Sequence, residues 1–82
     1  MKMESENGIG TVNVVRHIIL KNFWEVYVTD YDHNDPDLAE AVVYGYETEL
    51  GDVRLSDYKK ITISDTTELD GLAPAPGWKW VN

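Results

Sequence analysis

The chain has no cysteine, so disulfides, thiolate metal sites and cysteine nucleophiles are excluded. That absence fits a reducing compartment, and a cytoplasmic location is expected. Long apolar runs are also missing. The longest, Ile18-Ile19-Leu20, is far too short to span a bilayer, and Met1–Gly8 is polar and acidic with no apolar signal core behind it. Basic residues are scarce, with 7 Lys and Arg against 15 Asp and Glu for a formal charge of −8. Such a charge argues against anionic membranes and against direct contact with a nucleic-acid backbone.

What remains is the composition of a small folded domain. The 82 residues include three Trp, five Tyr and one Phe, and 43% are hydrophobic. Acidic disordered chains are poor in aromatics, and these nine rings can supply most of a small core. A chain of this size buries only about 60–65% of its unfolded surface, so one domain of modest stability is expected.

The acids are not spread evenly. Residues 25–57 hold ten carboxylates and a single base, Arg54, for a net −9, while the rest of the chain nets +1. Charge segregated in this way creates a field that selects partners.

The hydrophobic pattern has the period of strands. Met1–Gly10 reads as a flexible arm broken by Gly8 and Gly10, leaving residues 11–82 as the domain. The β-branched run from Val12 to Leu20 predicts one strand, Lys21-Asn22 a turn, and Phe23–Tyr31 a second strand in an antiparallel hairpin. On that second strand Trp24, Val26 and Val28 share one face, and Glu25, Tyr27 and Thr29 the other. Asp32–Asp37, with Pro36, is a loop by composition. Leu38 to Thr48 predicts a third strand with Val42, Tyr44 and Tyr46 on one face, and Gly45 marks a bulge or a close backbone approach. Glu49–Asp52 reads as a turn and Val53–Leu55 as a short strand. Ser56 reads as the N-cap of one helical turn over Asp57–Lys60. Ile61–Ile63 is a further short strand. Asp65–Pro76 is loop, and Trp78–Val81 a last strand with both Trp rings on one face. The fold class expected is α+β and β-dominated: a small, mostly antiparallel sheet of four or five strands with one short helical turn.

No constellation carries catalytic chemistry. Ser5, Ser56 and Ser64 sit in no nucleophile motif, the two histidines lie in unrelated contexts, and Gly8-Ile9-Gly10 lacks the Lys-Ser/Thr of a phosphate loop. The chain is therefore expected not to be an enzyme and to use no cofactor. The loop Asp30–Asp37 invites comparison with calcium loops, since Asp30, Asp32 and Asn34 occupy positions one, three and five. Position six is then Asp35 rather than Gly. Position twelve is Ala41, with Glu40 one place early, and the flanks are strands. No metal site is assigned, and a calcium-stabilised module is kept as an alternative resting on those three residues.

The acid segment admits two readings. One is a solvated surface that only keeps the domain soluble. The other is a shaped negative face: Asp30 and Asp32 would lie about 7 Å apart on one side of a strand, and Glu47 and Glu49 repeat that spacing. The partner-binding set on this second reading is Asp30, Asp32, Asp35, Asp37, Glu40, Glu47, Glu49 and Asp52. Trp78 and Trp80 join it as aromatic anchors on an incompletely covered terminal strand. The partner is then a protein with a basic surface.

Part of the chain resembles a known group. Trp24, Tyr27-Val28-Thr29-Asp30-Tyr31-Asp32, Gly45-Tyr46-Glu47-Thr48-Glu49-Leu50-Gly51 and Leu55-Ser56-Asp57 are similar to the core of a family of small uncharacterised bacterial proteins carried on plasmids and integrative elements. That core runs Tyr-x-Thr-Asp/Glu-aromatic-Asp and then Gly-x-Glu-x-Glu-Leu-Gly. The similarity covers residues 24–58. The family's helical lead-in is replaced here by a β-like segment, and Val53-Arg54 stands where it has an aromatic. The resemblance implies a shared sheet core and a mobile-element or phage origin, and it transfers no catalytic residue. Read with the charge, it points to an inhibitor that occupies a host protein's nucleic-acid-binding surface, as anti-restriction and anti-CRISPR proteins do.

Overall fold

In the computed structural model, which describes residues 1–81, eight strands form two antiparallel sheets. They are β1 (Lys2–Ser5), β2 (Thr11–Asn13), β3 (Arg16–Leu20), β4 (Glu25–Tyr31), β5 (Leu38–Tyr44), β6 (Thr48–Arg54), β7 (Thr62–Thr66) and β8 (Trp78–Val81). The small sheet has the order β2-β1-β8 and the large one β6-β5-β4-β3-β7. The only helical element among the described residues is a 3₁₀ turn, Leu55–Tyr58. The molecule is β-dominated, as its period-two pattern and β-branched runs require, but with two sheets where one was expected.

The second sheet exists because the N-terminal segment is a strand and not a flexible arm. Met3 is completely buried beside Val14, Tyr27, Val42 and Trp78. β1 pairs with β2 through Met3 and Val12, and with β8 through Met3 and Trp80. Gly8 and Gly10, at φ +85° and +140°, reverse the chain between β1 and β2, and Ser5 N–H donates to Gly10 O at 2.9 Å. The glycines make a hairpin there, where a loss of order was expected.

The single strand expected from Val12 to Leu20 is split between the sheets. Val14 N–H donates to Met1 O at 2.7 Å, and the next residue, Val15, donates to Val28 O at 2.9 Å. Two consecutive amides thus serve different ladders, and the chain turns a corner at Val14-Val15. A run of β-branched residues fits both strands equally well, so composition alone does not mark the corner.

β4 lies at the centre and is buried on both faces. Its front face, with Tyr27, packs with Val42 against the small sheet through Met3, Val14, Leu69, Ala75 and Trp78. Its back face, with Val26 and Val28, packs with Ile18, Leu20, Ala39, Ala41 and Val53. The segment after β6 runs from one edge strand to the other, and Leu55 and Tyr58 from its 3₁₀ turn pack on that back cluster together with Trp24 and Val43. Tyr27 therefore lies in the front core, on the face opposite Val26 and Val28. Burial, then the neighbouring Glu25 carboxylate, raise its phenol well above its ordinary pKa. Its hydroxyl donates to Ala73 O at 3.2 Å, and its ring lies tilted at 50° against the buried His17, whose Nε2 lies 2.9 Å from Glu25 Oε1.

Two local boundaries also differ from expectation. The reversal between β5 and β6 is at Gly45–Glu47, where Gly45 N–H donates to Glu47 O at 3.0 Å; Glu49–Asp52 is inside β6 and not a turn. Gly45 meets the close approach expected of it, because a Cβ there would lie 2.6 Å from the Trp24 ring. Ser56 does not cap the 3₁₀ turn with its own side chain. Asp37, from the loop before β5, does so: its backbone oxygen accepts from Leu55 N–H at 2.9 Å, and its carboxylate accepts from Ser56 N–H at 2.8 Å and from the Ser56 hydroxyl at 2.7 Å.

Candidate partner-binding face

Strand register decides where each acid points. In the β4–β5 ladder Val28 faces Ala41, but the next pair is Asp30 with Glu40, so Thr29 is an extra residue on β4. Without this bulge, strict alternation would set Asp30 opposite Ala39, on the back face with Val28 and Ala41. The bulge re-aims Asp30 to the front. Thr29 fixes it in place, since its hydroxyl lies 3.1 Å from Glu40 O and 3.0 Å from Glu40 Oε1. On the other side of β5, Glu40 pairs with Asp52 of β6.

Three carboxylates therefore stand side by side on adjacent strands in the order Asp30, Glu40, Asp52. They line a shallow cavity of about 190 Å³ with Tyr31, Asp32, Leu38 and Ala39. All three are exposed, beyond the part of the front face that the small sheet covers. Among the described residues no basic side chain pairs with any of them. Like charges directly opposite on neighbouring strands destabilise a sheet. The row is thus a local electrostatic conflict, held open by a bulge.

Of the other acids of the loop, Asp35 and Asp37 are spent on structure, and so is one oxygen of Asp32. Asp32 lies past the end of β4, where its Oδ1 accepts from the backbone N–H groups of Asn34 at 2.7 Å and Asp35 at 3.1 Å. Asp35 accepts from Asp37 N–H and pairs with Arg54 Nη1 at 2.9 Å. Asp37 is held below its ordinary pKa first by the Ser56 hydroxyl, and also by Ser56 N–H and Arg54. Arg54 is raised, chiefly by Asp35. The loop that suggested calcium is closed by Arg54 and by backbone donors. Among the described residues no group of three acidic or histidine side chains is arranged to hold a metal.

Glu47 and Glu49 do not extend the row. They lie at the far end of the sheet, Glu47 in the β5–β6 turn and Glu49 opposite Val43 on the back face. The negative segment is thereby divided between the two ends of the sheet. Trp78 and Trp80 are not exposed anchors. Trp78 is only 4% exposed in the front core, and Trp80 packs on that core and donates its indole N–H to Leu72 O at 2.7 Å. The terminal strand is covered because the 67–77 segment folds over it, with Leu69, Leu72 and Ala75 against the rings.

The exposed aromatics are others. Tyr46, expected on a face with Val42 and Tyr44, is 95% exposed, and Phe23 is 76% exposed. The signals that mark them are local: Tyr46 follows the glycine of a hairpin turn, and Phe23 follows Lys21-Asn22.

No family model, no curated protein and no solved structure matches the chain.

Proposed function

We propose that this chain is a non-enzymatic protein-binding module whose row Asp30–Glu40–Asp52 occupies a basic, nucleic-acid-binding surface of a partner protein. The observation that carries the reading is the bulge at Thr29, which sets a third unpaired carboxylate beside two others against the electrostatic preference of the sheet. A surface that served only solubility has no need to align like charges at adjacent positions. The row places three charges over two strand spacings, about 10 Å. Each strand of duplex DNA carries one charge for about every 3.4 Å of axis, so the row, at one charge per about 5 Å, has roughly two thirds of the linear density of one strand. The row is fixed on a ladder, so little order is lost on binding and complementarity is expressed directly. The electrostatics dictate fast association and steep weakening with salt.

The resemblance of residues 24–58 to proteins of plasmids and integrative elements supports a phage or mobile-element inhibitor of the anti-restriction or anti-CRISPR kind. On this reading the protein acts in the cytoplasm and contacts neither nucleic acid nor membrane itself.

The test is affinity capture from host lysate with the wild-type chain and with the triple variant Asp30→Asn/Glu40→Gln/Asp52→Asn. A nucleic-acid-binding protein should be retained by the wild type at low salt, released by raised salt or by added duplex DNA, and lost with the variant. Equal retention of the same proteins by both chains rules the row out as the binding face.

A further inference from the structure

The far end of the sheet carries a second, chemically different recess. Trp24, Val43, Gly45, Tyr46, Glu47 and Glu49 line a cavity of about 240 Å³ on the back face. Trp24 begins the approach to β4, and its ring lies across Gly45, where any side chain would collide with it. Tyr46 stands edge-on to the indole, with ring centroids 5.1 Å apart and planes at 80°. Glu47 and Glu49 complete the lining and, among the described residues, pair with no base. The volume falls below the roughly 300–1,000 Å³ usual for small-molecule sites and suits a single side chain.

We propose that this recess receives one arginine side chain of a partner protein. The chemistry selects the occupant. An anion is repelled by both glutamates. An apolar group would cover the two carboxylates without compensating their charge. A cation is attracted by the two carboxylates, and an aromatic face in the lining adds to that attraction, because ring quadrupoles draw positive charge. Between the two common cations, guanidinium is planar, weakly hydrated and forked, so it can stack on an aromatic face while donating to carboxylate oxygens. Lysine's ammonium is a strongly hydrated point with no face to stack. The Trp24 ring lies close over Gly45, and the backbone of Glu49 is held in the β6 ladder, so those two sides of the recess are set before binding. The proposal rests on the reading of a basic partner, and it adds a contact at the opposite end of the sheet from the carboxylate row.

N-Acetyl-arginine amide is small enough to test the recess alone. The isotope-labelled full chain would be titrated with it at constant ionic strength, with N-acetyl-lysine amide as the comparison. Saturable shifts are expected at the Trp24 indole N–H and at the amides of Gly45, Tyr46, Glu47 and Glu49, with weaker effects from the lysine probe. Tyr46→Ala removes a ring that is almost wholly exposed, so the fold survives, and affinity should fall roughly two- to fivefold, the range of an exposed cation–π contact. The triple variant of the carboxylate row should bind the probe as the wild type does, so failure here and failure of the row are separate results. Absent shifts, shifts spread over every acidic residue, equal responses to both probes, or undiminished binding by Tyr46→Ala would each overturn the proposal.

Discussion

Replacing Glu40 with Gln should make the protein more stable. Glu40 is the centre of the row, with Asp30 on one neighbouring strand and Asp52 on the other. Cross-strand pairs contribute roughly 0.2–1 kcal/mol, and a like-charged pair acts against the fold. These side chains are exposed, and at physiological ionic strength the screening length is about 8 Å, so a value near the bottom of the range applies, about 0.3 kcal/mol per pair. Two pairs give about 0.6 kcal/mol. Glutamine keeps an oxygen to accept from the Thr29 hydroxyl, so that hydrogen bond is retained. For a domain of this size 1 kcal/mol corresponds to about 4–8 °C, so Tm should rise by about 2–5 °C. The gain should increase in 0.01 M salt, where screening extends to about 30 Å. Any lost carboxylate reduces the overall charge of −8, so Glu68→Gln, remote from the row, serves as the control. Thermal unfolding of the three chains at two salt concentrations decides the matter. A Tm for Glu40→Gln at or below that of the control, or a gain indifferent to salt, would refute the electrostatic conflict.

Other expectations follow from the same contacts. Met3→Ala should cost about 2–5 kcal/mol in urea unfolding, as for a filled core site; a change within about 0.5 kcal/mol would mean that the N-terminal strand is not docked. Phe23 has φ +66° with its side chain largely in water. Phe23→Gly should therefore relieve roughly 1–3 kcal/mol of backbone strain against a glycine entropy cost of about 0.5–1 kcal/mol. The net result is a Tm higher by a few degrees, and an unchanged or lower Tm would contradict it. Asp37 and Asp65 both titrate below the ordinary carboxylate value of 3.8, through the Ser56 hydroxyl and Arg16 respectively as their largest causes. Their contribution is complete above that value and is lost as pH falls through the lower folded values. Stability should fall in that acidic window on their account, and Asp65→Asn should show a smaller drop in Tm between pH 6 and pH 3 than the wild type.

Much of the fold was legible in the sequence, for identifiable reasons. The β3–β4 hairpin, the Asp32–Asp37 loop and the strand at Trp78–Val81 are written in period-two patterns and turn residues, which act locally. The corner at Val14-Val15 was not legible, because β-branched residues satisfy either sheet. The docking of Met3 was hidden because three of its core neighbours, Tyr27, Val42 and Trp78, are 24 or more positions away. The site was only partly legible. Charge segregation named Asp30, Glu40 and Asp52, but it also named Asp35 and Asp37, whose oxygens are taken by a backbone N–H, Arg54 and Ser56, and Asp32, one of whose oxygens accepts from two backbone N–H groups. Composition counts charges and does not say which are already paired. The bulge at Thr29 depends on register, and no residue type announces it.

The aligned carboxylates Asp30, Glu40 and Asp52 are proposed as the binding face. The most direct measurement is the affinity of the captured partner for the wild-type chain and for Asp30→Asn/Glu40→Gln/Asp52→Asn across a series of salt concentrations. The expected result is a loss of affinity for the variant that is largest at low salt, with a flatter salt dependence and no loss of folded structure. Equal affinities and equal salt dependence for the two folded chains would contradict it.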